Sequence, residues 1–331
     1  MMAFLSNRRV FGGRRLLGVC AGLTLAFAAR ATGLQIERVD LGDSAPGVQA
    51  YNLQEAREWR VFARSEAGFK RSRIFVQRRV AGVAGQAGPW ASAEPWPHTD
   101  ARWRDSDPHL SADGTRLTFV SDRPEQGDVP LGQLDLFESR LEGAQWSAPR
   151  RLAATLQSPG YELGPERHGD WLYFASFRAG GPGKLSIYRA RGDQLDETPQ
   201  ALPAPVNDGG ANSDFTLTPD GRYAIWWSSR GTAEGKGGDL YLAERVGAGF
   251  GPAVRLPEPV NGPAFEFTPS VSADGQWLYF ASTRDGPAGL SHMYRVSWPA
   301  LLAELGPSRE AFSQALPGQA SPDDGLLTCL S

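Results

Sequence analysis

The chain has 331 residues, 41% of them apolar and 21% charged, and a formal net charge of −3. This is a globular composition, long enough for a sizeable core, and it excludes a disordered or fibrous chain. Lysine occurs only at Lys70, Lys184 and Lys236, and five of the 34 basic residues lie in the first 32 positions, where there is no acid. The remainder is therefore more acidic still, which argues against nucleic acid or an anionic membrane surface as partner.

In chain order, the first element is an address segment. The basic stretch NRRVFGGRR (7 to 15), the apolar run Leu16 to Ala29 and the small-x-small signals Ala26-Phe27-Ala28 and Ala29-Arg30-Ala31 predict a cleavable signal peptide over 1–31. General secretion and twin-arginine export both remain open, and the expected location is the periplasm or the exterior. Val19 makes Leu17-Gly18-Val19-Cys20 a poor lipoprotein box. The apolar run is too short to span a bilayer, and no later segment is longer, so no transmembrane segment is expected. Once Cys20 is removed, Cys329 is the one remaining thiol, so no internal disulfide is expected.

Next comes a repeat. Four segments match in register: LSADGTRLTFVSDR (110 to 123), ERHGDWLYFASFR (166 to 178), LTPDGRYAIWWSSR (217 to 230) and VSADGQWLYFASTR (271 to 284). Their closing arginines, Arg123, Arg178, Arg230 and Arg284, recur at 55, 52 and 54 residues, and EWRVFARSE around Phe62 is a degenerate earlier copy. Each copy runs into a second alternating stretch, such as QLDLFESRL (133 to 141) or GDLYLAERV (238 to 246), and several add an aromatic with an apolar residue six further on. Four short strands per repeat, repeated five times, predict an all-β fold: a β-propeller of five four-stranded blades over 34–304, six blades being the alternative count. LQIERVDL (34 to 41) stands outside the repeats and is expected to close the ring by pairing in the last blade. From 305 to 331 the chain is rich in Gly, Pro and Ser and is expected to be irregular or disordered.

The cadence from Glu266 to Arg284, with Pro269, Asp274-Gly275 and Leu278-Tyr279-Phe280, resembles the TolB-like periplasmic β-propeller repeat, a WD40-like Asp-Gly repeat. The resemblance covers about residues 45 to 300. It implies a propeller used for protein contact in the bacterial envelope, as TolB meets the peptidoglycan-associated lipoprotein, and it transfers no contact residue. The chain departs from the pattern at His168-Gly169, which replaces Asp-Gly, and at Ser186, His292 and Arg73, where other copies carry Asp135 and Asp239.

Asp-Gly is expected to make tight turns, and the recurring arginines to bind carbonyls or an acid of the adjoining blade. Trp171, Trp226, Trp227, Trp277 and Tyr279 read as packing between blades. The candidate site is a set of acids eight and six residues before the Asp-Gly frame, on strands that line the channel: Asp105, Asp107, Glu162, Asp214 and Glu266. Confined carboxylates of this kind bind cationic ligands or a divalent ion, and otherwise cap turns or pair with arginines. The four histidines, His98, His109, His168 and His292, show no metal spacing, and no catalytic motif is present.

The functional expectation is therefore an exported, monomeric, non-enzymatic propeller. It would bind a protein or cell-envelope component through its loop faces or channel mouth, without a cofactor. The alternatives are a glycan-active enzyme using Asp107, Asp214 and Glu266, and a small-ligand or cation sensor.

Overall fold

A computed structural model describes residues 33 to 314 apart from 43, 57, 83–87, 192–196 and 232–236. The expected signal peptide and Cys329 lie outside the described residues. The chain opens with β1 (Ile36–Arg38), whose partner comes last. Blade 1 then holds β2 (Val48–Ala56), β3 (Trp59–Glu66), β4 (Lys70–Arg78) and β5 (Glu94–Pro95). Blade 2 holds β6 (Asp105–Leu110), β7 (Arg116–Ser121), β8 (Asp135–Glu142), β9 (Gln145–Trp146) and β10 (Arg150–Arg151). In blade 3 are β11 (Glu162–His168), β12 (Trp171–Ser176), β13 (Ser186–Arg191) and β14 (Gln200–Ala201). Blade 4 has β15 (Asn212–Leu217), β16 (Tyr223–Ser228), β17 (Asp239–Val246), β18 (Gly249–Phe250) and β19 (Val254–Arg255). Blade 5 has β20 (Glu266–Val271), β21 (Trp277–Ser282) and β22 (His292–Ser297), with β1 as its outer strand. The propeller thus has five blades, not six.

The repeat period produces this ring because the second strand of each blade is apolar on both faces. Phe119 packs into the core shared with blade 1, whereas Val120, its neighbour in the chain, packs into the core shared with blade 3. Leu172 and Phe174 likewise face blade 2, and Tyr173 and Ala175 face blade 4. Alternate side chains on a strand point to opposite faces, so one strand supplies two cores.

The last blade closes as expected. Ile36 pairs with Val296 and Arg38 with Tyr294, while Arg295 binds Glu37 at 2.6 Å. The flanks of β1 are anchored on opposite sides: Leu34 lies in the core between blades 4 and 5, and Leu41 in the core between blades 5 and 1.

Two expectations need correction. Residues 305–314, expected to be irregular, continue a helix, α1 (Trp298–Gln314), while 315–331 lie outside the described residues. Trp298, Leu301 and Leu305, spaced to share a helix face, pack into the core between blades 4 and 5, which outweighs the helix-breaking Gly306-Pro307 pair. His168 does not replace the Asp of an Asp-Gly turn. It pairs directly with Trp171, so the blade 3 hairpin is two residues shorter, and His168 takes the place of Thr218 in the next blade. Its imidazole lies against Gly221, where an added Cβ would come within 2.8 Å of Nε2.

If β1 is an integral strand, Leu34→Ala and Leu41→Ala will each cost about 2–5 kcal/mol, as a core leucine does, and not the roughly 0.5 kcal/mol of a surface change. Urea denaturation of the two variants beside Leu278→Ala measures this.

Candidate functional site

Each inner strand carries one bulge, between Tyr51 and Gln54, Ser106 and His109, Leu163 and Glu166, Ser213 and Thr216, and Phe267 and Ser270. The residue at the bulge has a left-handed backbone in every blade: Asn52 (φ 58°), Asp107 (50°), Gly164 (49°), Asp214 (53°) and Thr268 (46°). Bonds between blades join these positions. Gly164 N donates to Asp107 Oδ2 at 2.9 Å, Thr268 N to Asp214 Oδ2 at 3.3 Å, and Asn52 N to Thr268 Oγ1 at 3.1 Å.

The bulge sorts the five predicted acids into two kinds. Asp105, Glu162 and Glu266 occupy one position, two residues before the bulge, and are fully buried within their own blades. Asp105 accepts from Ser121 Oγ at 2.8 Å and Arg123 Nη2 at 2.6 Å. Glu266 meets Ser282 Oγ at 2.8 Å and Arg284 at 3.2 Å, and Glu162 meets Ser176 Oγ at 2.9 Å and Arg178 at 3.6 Å. These three are framework: a Ser-x-Arg at the end of the second strand neutralises an acid of the same blade, not of the adjoining one. The arginines also reach the linker carbonyls, Arg284 those of Pro259 and Val260, and each lies over two rings of its blade, Arg284 over Phe280 and Tyr294. Burial raises all three carboxyls, Glu162 to about 7.

Asp107 and Asp214 sit at the bulge itself and face a cavity of about 310 Å³ at one mouth of the channel. They approach Gly164 together. While Asp107 takes its N–H, a Cβ added to Gly164 would lie 3.2 Å from Asp214 Oδ1. Asp107 Oδ1 accepts from Ser106 Oγ at 2.8 Å, and Ser106 Oγ lies 3.0 Å from the Tyr51 hydroxyl. Burial raises the Asp107 carboxyl, and burial followed by the charge of Asp107 pushes Asp214 up to about 7.

The walls are aromatic: Tyr51, Phe69, Tyr161, Trp227, Phe265 and Phe267. Phe265 stacks on Phe267 with centroids 4.5 Å apart, and Phe69 makes edge contacts with Tyr51 at 5.1 Å and Phe267 at 5.7 Å. Of the aromatic residues expected to pack between blades, Trp226 is buried whereas Trp227 lines this mouth. The sequence signal for the rest was faint: Tyr51 and Phe267 share one repeat position that holds Ser106 and Ser213 in other blades. Phe69 belongs to a turn outside the repeat.

A second cavity, about 680 Å³, opens between strands and hairpins carrying His109, Glu166, Arg167, His168 and Thr216. His109 Nδ1 lies 2.8 Å from Glu166 Oε2, and Thr216 Oγ1 donates to Glu166 Oε1 at 3.2 Å. His109 of blade 2 thus meets a carboxylate of blade 3, and the charge of that carboxylate is also felt by His168. Burial lowers the His168 imidazole. Among the described residues no group of three or more His, Cys, Asp or Glu is placed to hold a metal ion.

No protein-family model matches the sequence, and no curated protein matches it. Solved structures similar to the chain include a putative TolB from Agrobacterium tumefaciens, 16% identical over 72% of each chain, with a TM-score of 0.44. A thermostable family-43 glycoside hydrolase is 11% identical over 76% of this chain and 88% of its own, with a TM-score of 0.45. A sialidase from Trypanosoma rangeli is 9% identical over 84% of this chain and 62% of its own, with a TM-score of 0.49. No residue role passes from these proteins to this chain.

Both kinds of acid are raised by burial, and they differ in what their replacement leaves behind. Asp214 has a folded-state value well above its ordinary one, so the native state holds a proton that the unfolded chain has released, and stability falls as pH rises from about 4 to about 7. Asp214→Asn, which suits the left-handed backbone, is expected to be more stable than the parent at pH 8 and to lose that advantage at pH 5. Asp105→Asn strands Arg123 in the interior and is expected to cost about 3–5 kcal/mol at pH 8. Chemical denaturation at both values checks this, and the distinction fails if the two variants behave alike.

Proposed function

We propose that the protein is an exported, monomeric, non-enzymatic binding propeller, and that a segment of an envelope protein or another cell-envelope component docks at the aromatic mouth of its channel. The observation that carries this reading is where apolar surface is left in water. Large exposed hydrophobic side chains among the described residues include three aromatics, Phe69 (42% exposed), Tyr161 (36%) and Phe177 (39%). Phe69 and Tyr161 line the cavity, and Phe177 meets Tyr161 edge-on at 6.5 Å. Leaving such rings at the rim of a concave apolar site is unfavourable unless a ligand covers them. Aromatic side chains bring large contact area at little entropic cost, which suits them to recognition. The basic, then apolar, N-terminal sequence supports export to the periplasm or beyond, with cleavage of the leader. The reading needs no cofactor. Among the described residues no helix is long and apolar enough to cross a membrane.

A glycan-active enzyme is the second reading, favoured by one observation: Asp214, held up to about 7, stands beside Asp107, as an acid stands beside a base. Glu266, the third carboxylate of that reading, is bound by Arg284 and Ser282 and does not line the cavity.

Retention of an identified partner from envelope extract separates the two. Phe69→Ala with Tyr161→Ala is expected to lower retention at least tenfold, while Val246→Ser, an exposed change on the outer part of blade 4, leaves it intact. Equal retention by all three proteins would remove the mouth as the docking site. Polysaccharide turnover that is lost in both Asp107→Asn and Asp214→Asn would establish the enzyme instead.

A further inference from the structure

Asp107 and Asp214 lack what the framework acids possess. Asp105, Glu162 and Glu266 each face an arginine of their own blade. The bonds to Asp107 and Asp214 come from Ser106, Asn52, Gly164 N, Ser213 and Thr268 N, none of which carries charge. Arg104 lines the same cavity, but its Nε is engaged by Asp122 at 2.8 Å. Two adjacent carboxylates without a cation are unfavourable in an apolar site, and a bound cation relieves both.

Two hydroxyls share the same space: that of Ser72, 1% exposed on the cavity wall, lies beside that of Tyr51. The cavity therefore presents two carboxyl groups and the hydroxyl oxygens of Ser72 and Tyr51, each able to accept a hydrogen bond, beneath walls of aromatic carbon. A primary ammonium has three N–H donors and gains from aromatic rings around it. Hard divalent ions instead take six or more oxygen ligands, which these walls do not offer. At about 310 Å³ the space suits a slender aliphatic chain ending in its charge.

We propose that the mouth is a recognition pocket for a primary alkylammonium group, seated between Asp107 and Asp214 with its chain against Phe69, Tyr51 and Phe267. This rests on the reading of the mouth as the binding site and names what enters it. The group is either a free aliphatic amine or a lysine side chain borne by a peptide.

Calorimetric titration of the full chain tests it with n-pentylamine, 1-pentanol and tetramethylammonium, and with an acetylated lysine tripeptide beside its norleucine analogue. Pentylamine is expected to bind at least tenfold more tightly than pentanol and tetramethylammonium, and to lose at least tenfold in Asp107→Asn or Asp214→Asn. Phe69→Ala, at an exposed position that leaves folding intact, is expected to weaken the amine as well. Tighter binding of the lysine tripeptide than of pentylamine, with no binding of the norleucine analogue, assigns a protein-borne lysine; binding of pentylamine alone assigns a free amine. Pentylamine no better than pentanol, or tetramethylammonium equal to pentylamine, overturns the proposal, as does amine affinity unchanged in both Asn variants. In that case, partner retention that still depends on Phe69 and Tyr161 preserves the mouth as a docking site. Amine binding together with retention indifferent to the mouth preserves the pocket and removes the docking.

Discussion

The structure depends on one backbone constraint: each inner strand turns once into the left-handed region, at Asn52, Asp107, Gly164, Asp214 and Thr268. Such a residue opens the ladder and re-aims its side chain, so the chain spends local strain at the axis to bring five strands within bonding reach. Asn, Asp and Gly accept this conformation at modest cost, whereas the β-branched Thr268 accepts it least readily. Its hydroxyl and its N–H both bond to neighbouring blades, which holds it there. The same turn divides the acids, since the residue two before it stays inside the blade and the residue on it reaches the channel.

Around that axis the interior charges are matched locally. Asp135 binds Arg151 at 2.6 Å and Asp239 binds Arg255 at 2.7 Å, each between the third strand and the outer strand of one blade. In blade 5 the third-strand position is His292, and the outer strand supplies Arg38 Nη2 at 3.0 Å from Nδ1. One device therefore recurs with changed chemistry where β1 replaces a local fourth strand. Buried pairs of this kind add little net stability but penalise strongly any arrangement that separates them, which favours each blade's own register.

Most of the fold was legible in sequence because its cause is periodic: Leu172-Tyr173-Phe174 and Leu278-Tyr279-Phe280 serve two cores each, and that demand repeats with every blade. Counting back from the Asp-Gly frame misplaced Glu162. The blade 3 turn is two residues shorter, so the distance from His168 that led to Asp214 in the next repeat led here to the framework position, and the true counterpart of Asp107 is Gly164. The inner carboxylates Asp107 and Asp214 were legible as candidates; that these two, of the five predicted acids, face no arginine was not, because a compensating charge is a matter of three-dimensional reach. Phe69 was invisible for another reason. It sits in a turn between β3 and β4 that belongs to no repeat, and its role comes only from folding back over Tyr51 and Phe267.

The outer strand of the last blade also shapes how the chain folds. Four blades pair strands that are neighbours in sequence, so each can form soon after its own segment is free. The fifth needs residues as far apart as Glu37 and Arg295, separated by 258 positions. Closing so long a loop adds little equilibrium cost over a shorter one, but contacts of such separation form slowly. The ring is therefore expected to pass through an open state whose fifth blade has only three strands, with β22 unpaired along one edge, and the rate at which that edge is sealed sets how long the chain is exposed to mispairing.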